Sequence, residues 1–150
     1  MQNSDLKTIR EELKTNGEVS SLTFGASMRP MLRQQRDMVV IKRPDLPFKK
    51  GDVVLFPSGK NRYLLHRIIR IDDGIITTRG DNNCFVEKIP QKNIVGVLKE
   101  FYRNGKYVNC ETSKGYKCYV FYIMHSYAVR YVWKKIIRRT LSKIKHAVTK

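Results

Sequence analysis

A chain of 150 residues and 17.6 kDa has room for one domain with an ordinary core and little for a second unit. Thirty Lys/Arg against thirteen Asp/Glu give a net charge of +17, while 41% hydrophobic content excludes a disordered basic tail protein. The longest run near the C-terminus free of Lys, Arg, Asp and Glu is Cys118–Val129, too short for the roughly 18 residues of a spanning helix. Met1–Lys14 carries Asp5, Lys7, Arg10, Glu11 and Glu12 and no apolar run, so no signal peptide is expected. Cys84, Cys110 and Cys118 form neither a C-x-x-C pair nor an even set. No disulfide framework, metal site or cofactor is therefore expected, and a reducing, cytoplasmic setting is.

In chain order, Ser4 or Asp5 can cap a short helix bearing Leu6, Ile9 and Leu13, stopped at Asn16-Gly17. Short β-branched runs then alternate with Gly, Pro, Asn and Asp: Val19–Phe24, Met38–Ile41, Val53–Phe56, Tyr63–Ile71, Ile75–Thr78 and Ile94–Tyr102. Asp73-Gly74 and Asn104-Gly105 read as hairpin turns, the second leading into Tyr107–Asn109. From about Tyr116 the pattern turns helical, with Val129, Trp133, Ile137, Leu141, Ile144 and Val148 on one face. The fold class expected is mainly β, a coiled antiparallel sheet or partial barrel, with a short N-terminal helix and a basic amphipathic C-terminal helix. Residues 1–111 form the β domain with its N-terminal helix, and 112–150 the helical extension. No acidic residue follows Glu111, so ten of the seventeen net charges fall in that extension.

Three short segments carry the chemistry. In Phe24-Gly25-Ala26-Ser27-Met28-Arg29-Pro30, small residues leave the backbone open to a second chain, and Pro30 keeps Arg29 out of the helical region. Ser27 is thereby offered on an irregular turn, as a nucleophile needs, with its own N–H available to an oxyanion. The plain alternative is a polar turn that contains a serine. His66, within Tyr63–Arg70, shares a strand face with Leu64 and Ile68 and is the one histidine in the β region. Its neutral imidazole can take a serine proton near pH 7 without special tuning, though a histidine so placed can equally be structural. The hairpin returns through Gly80-Asp81-Asn82-Asn83, where Asp81 could orient the imidazole or simply bond its own turn.

Taken in order, Gly25–Pro30, Gly51-Asp52-Val53-Val54, His66-Arg67-Ile68-Ile69, Gly80–Asn83 and Ile94–Val97 resemble the serine peptidases of the type I signal peptidase family and their LexA-like relatives. The resemblance spans roughly residues 19 to 101. It implies a mostly β peptidase that cuts extended peptides after small residues. Ser27 would be the nucleophile, His66 the general base and Asp81 a supporting acid, with Gly25, Ala26 and Met28 at the oxyanion and substrate-binding turn. Histidine at the base position is similar to the endoplasmic-reticulum and archaeal branch, where the bacterial branch has lysine. The chain departs from the pattern in three places. A polar helix stands where signal peptidases carry an anchor, and Gly25 stands where many have a hydroxyl. The second aspartate of the endoplasmic-reticulum branch has no exact counterpart, Glu87 being the nearest acid.

The expectation is a serine endopeptidase of the signal-peptidase type that removes leader segments from peptides. The alternatives are a weakly catalytic peptidase-like binding module or a polyanion-binding protein. A +17 chain binds nucleic acid at least non-specifically, but no helix-turn-helix, finger or stacking sheet points to a specific partner. The C-terminal helix either lies on an anionic membrane surface, as a peripheral attachment, or packs its apolar face on the β domain.

Overall fold

The computed structural model describes residues 3–59, 62–133 and 136–137. Helix α1 (Asn3–Asn16) precedes strands β1 (Glu18–Leu22), β2 (Met38–Lys42), β3 (Val53–Pro57), β4 (Tyr63–Asp72), β5 (Ile75–Arg79), β6 (Glu87–Pro90), β7 (Gly96–Arg103) and β8 (Lys106–Asn109), and helix α2 (Lys114–His125) follows. The strands form one curled antiparallel sheet in the order β1-β2-β7-β3-β4-β5-β6, with β8 on β7. The mainly β fold read from the sequence is the fold observed.

Both hairpin turns form as their residues require. Asp73 and Gly74 take φ of 41° and 76°, and Asn104 and Gly105 take 51° and 77°, the left-handed pair of a tight two-residue hairpin. Glycine at the second position removes the Cβ conflict of that geometry. Two features escape the sequence patterns. β6, Glu-Lys-Ile-Pro, is too short and too polar to show alternation, yet it pairs with β5 along its length. β7 begins at Gly96 rather than Ile94, after a 3-10 turn over Gln91–Asn93.

The sheet is covered on both faces, so β3 buries Val53, Val54, Leu55 and Phe56 in succession. Val53 and Leu55 join Ile9, Leu13, Met28, Met31 and Leu32 in a core under α1 and the β1–β2 loop, closed by Tyr116 of α2. Val54 and Phe56 point the other way, to Phe48, Ile68, Ile76, Ile89, Ile94 and Val97. Between β4 and β5 the register slips after Ile68, leaving Ile69 unpaired. The second core therefore passes from Ile68 to Ile71.

Ser113 caps α2, its hydroxyl accepting from the Tyr116 N–H at 3.2 Å. The chain bends at Ser126 and continues as helix over residues 127–133. Ile123 and Tyr116 are buried, but Val129, Trp133 and Ile137 are exposed, so packing of that apolar face on the β domain, one of the two alternatives, is not observed for these three. Leu141, Ile144 and Val148 lie outside the described residues. No helix among the described residues is long and apolar enough to cross a membrane.

Candidate active site

Ser27 sits in the β1–β2 loop, which is closed at its base by a polar network. The Thr23 N–H donates to the Asp37 carbonyl at 3.0 Å, and the Thr23 hydroxyl reaches the Arg33 carbonyl at 2.7 Å. The buried Asp37 carboxylate accepts from the Arg33 N–H at 2.8 Å, the Asn104 N–H at 3.1 Å and the Arg36 guanidinium at 2.6 Å. Burial would raise its pKa, but these donors outweigh it and hold Asp37 at about 2. Within the loop Gly25 takes a φ of 82°, in the left-handed region that glycine enters without a Cβ conflict.

A second segment clamps this turn from outside. The Asn82 N–H donates to the Ser27 carbonyl at 2.7 Å, and the Asn82 side-chain amide to the Ala26 carbonyl at 3.2 Å. A Cβ on Gly80 would lie 2.8 Å from the Ser27 carbonyl oxygen and 2.9 Å from the Ser27 Cβ. Glycine is thus required at 80 by the approach of the serine itself. Arg67 of β4 pairs with Arg79 of β5. Gly80 follows directly after β5, the strand that neighbours the one carrying His66. The Ser27 side chain therefore rests against the residue that leaves the end of β5, next to the strand that carries His66. Neither the Ser27 N–H nor its hydroxyl has a hydrogen-bond partner among the described residues.

His66 is 1% exposed, flanked by Val54 on β3 and edge-on to the Phe56 ring at 6.0 Å between centroids. Its Nδ1 lies 2.9 Å from Glu87 Oε2, and its buried Nε2 has no partner among the described residues. A carboxylate at Nδ1 favours the tautomer that keeps the proton there, which leaves Nε2 with a free lone pair. A buried polar atom without a partner costs about 1–3 kcal/mol, so this arrangement does not serve stability.

The expectation that Asp81 supports His66 is corrected by the alternation of β4. His66 and Arg67 point to opposite faces, and Asp81 lies on the Arg67 side. Its two carboxylate oxygens accept from Arg67 Nε and Nη2 at 2.8 and 2.7 Å, and the Tyr119 hydroxyl donates to it at 2.9 Å. Arg67 donates further to the Gly51 carbonyl at 2.7 Å and contacts the Tyr116 hydroxyl at 3.3 Å. Burial alone would weaken the guanidinium's hold on its proton, but the Asp81 charge and hydrogen bonds outweigh it and the pKa is raised. Asp81 is a structural acid, fixing the segment whose next residue clamps Ser27.

Glu87, named in the sequence only as the nearest acid, is the group on the imidazole. β6 pairs Glu87 with Thr78, which faces the same side as His66 and Ile68. Period-two alternation along β4 was the available signal, since it already separates His66 from Arg67. Met28 and Gly25 line an apolar cavity of about 100 Å³ beside Ser27, with Leu32, Leu55 and Leu65 among its walls. Ala26 does not line it; its carbonyl is taken by Asn82 and by the Arg29 N–H. No group of three or more His, Cys, Asp or Glu among the described residues is arranged to hold a metal ion. Comparison with protein-family models, with curated proteins and with solved structures finds no match to this chain.

Proposed function

We propose that the protein is a serine endopeptidase of the signal-peptidase type, acting on leader segments of peptide substrates with Ser27 as nucleophile and His66 as general base. One observation carries the reading: the His66 imidazole is buried, held at Nδ1 by Glu87 and without a partner at Nε2 among the described residues, on the strand beside the β5 end that Ser27 packs against. Ser27 Oγ attacks the scissile carbonyl carbon as its proton passes to His66 Nε2. The imidazolium that results is stabilised by Glu87, and the proton is then returned to the leaving amine. The free Ser27 N–H is the oxyanion donor on hand. Water, activated by the same imidazole, releases the acyl group and restores the serine. The apolar cavity lined by Ser27, Met28 and Leu32 offers an apolar side chain of the substrate a place beside the nucleophile.

Mass spectrometry of leader-bearing peptides incubated with the wild type and with Ser27→Ala tests this. Cleavage at one bond by the wild type alone is the expected result. Products from both proteins, or from neither across a panel of leaders, would overturn it.

A further inference from the structure

The helical segment after Ser126 is amphipathic in the wrong sense for a helix that merely packs on a soluble body. Its body-facing side is polar. The Tyr127 hydroxyl donates to the Cys84 carbonyl at 3.2 Å, and Arg130 Nη1 donates to the Asp81 carbonyl at 2.8 Å. The Arg79 guanidinium lies over the Tyr127 ring at 3.3 Å from its centroid. At 3.6 residues per turn, Val129, Val132, Trp133 and Ile136 fall about half a turn away, on the outward side, and Trp133 is 63% exposed. The loop that this helix grips contributes a second set of outward apolar side chains, Phe85 at 78% exposure and Val86. Two elements joined by the Tyr127–Cys84 contact thus each expose bulky apolar groups, more than scattered exposed residues account for.

Charge decides what covers them. The residues after Glu111 carry ten Lys/Arg and no acid, in a chain of net charge +17. A second copy of this chain would bring the same positive field to the contact. A nucleic acid would meet apolar side chains where it needs cations. An anionic bilayer satisfies both features, taking apolar side chains and an aromatic into its interface while its headgroups attract the lysines and arginines. We infer that the outward face formed by Val129, Val132, Trp133 and Ile136, together with Phe85 and Val86, docks on an anionic lipid surface. This inference stands apart from the proposed peptidase activity. Through Arg130 on Asp81 and Tyr127 on Cys84, such docking would hold the clamp segment of the candidate site beside the membrane.

Trp133 is the sole tryptophan in the chain, so its emission reports the docking face directly. The full chain is titrated with vesicles of phosphatidylcholine containing phosphatidylglycerol, and with phosphatidylcholine alone, while sedimentation measures the bound fraction. The expected result is a blue shift and protection from an aqueous quencher with the anionic vesicles, weakening as salt is raised. Val132→Ser/Ile136→Ser and Phe85→Ser alter exposed positions and should each lower partitioning at least about tenfold with unchanged circular dichroism. Sedimentation without a blue shift would mean adsorption by charge alone and would overturn insertion. A concentration-dependent blue shift without lipid, with a doubled mass, would assign the face to a second copy. No binding to either vesicle would overturn the inference outright.

Discussion

Replacing Gly80 by alanine tests the placement of Ser27 without touching any reacting group. The added methyl would stand 2.8 Å from the Ser27 carbonyl oxygen, 2.9 Å from its Cβ and 3.0 Å from the Asn83 side-chain nitrogen. Carbon atoms rest at about 3.5–4.0 Å, so the serine turn or the β5 end must retreat by roughly 0.6–1.1 Å. The obstacle includes backbone, which cannot swing aside as a flexible side chain would. A displacement near 1 Å costs about a hundredfold in rate when it separates reacting groups, and overpacking of this kind costs about 1–3 kcal/mol in stability. The assay is kcat on a cleavable leader peptide beside thermal unfolding. Gly115→Ala is the control, because a Cβ there meets nothing closer than 3.9 Å and position 115 lies in the first turn of α2. It should leave kcat alone and raise stability by about 0.5–1 kcal/mol. Gly80→Ala at wild-type kcat would refute the reasoning, since the serine would then not depend on close approach to that position.

Glu87→Gln keeps the shape of the acid but removes its charge, and should lower kcat about a hundredfold while leaving the unfolding midpoint nearly unchanged; unchanged kcat would make Glu87 a bystander. Asp81→Asn should behave in the opposite way, uncovering the buried Arg67 charge at a cost of about 3–5 kcal/mol and lowering Tm by about 10 °C. A full rate loss with an intact midpoint there would return the catalytic acid to Asp81. Asp37 predicts an acid limb. Its folded pKa of about 2 lies below the ordinary value of 3.8, so its contribution of about 2–3 kcal/mol is present above pH 4 and is lost as pH falls toward 2. Urea unfolding across that range should show the loss in wild type and not in Asp37→Asn.

The sequence is most informative where local chemistry acts alone. Asp73-Gly74 and Asn104-Gly105 specify their turns through backbone sterics that no tertiary contact has to supply, and the helix around Ile9 and Leu13 follows from their spacing. Ser27 and His66 stand out because a serine among small residues and a lone strand histidine are legible residue by residue. Which acid meets His66 is not, because Asp81 and Glu87 differ by the face of the sheet and not by distance along the chain. Glu87 reaches the imidazole only once β6 pairs with β5, and a four-residue strand carrying Glu, Lys and Pro has no periodic signal of its own. Asp81, which the sequence shows only as part of the Gly80–Asn83 turn, is claimed instead by Arg67, which also meets Gly51, Tyr116 and Tyr119 from distant segments. The outward turn of Val129 and Trp133 is of the same kind, since helical periodicity fixes which residues share a face but not which way the face looks.

The most direct test of the central claim is capture of the acyl-enzyme. An activated ester of a leader peptide, quenched in acid at early times and followed by intact-mass and fragment analysis, reports which side chain carries the acyl group. An adduct on Ser27 is expected in the wild type, with none in Ser27→Ala and formation slowed by orders of magnitude in His66→Ala. An adduct on another residue, or turnover that persists without Ser27, would contradict that claim.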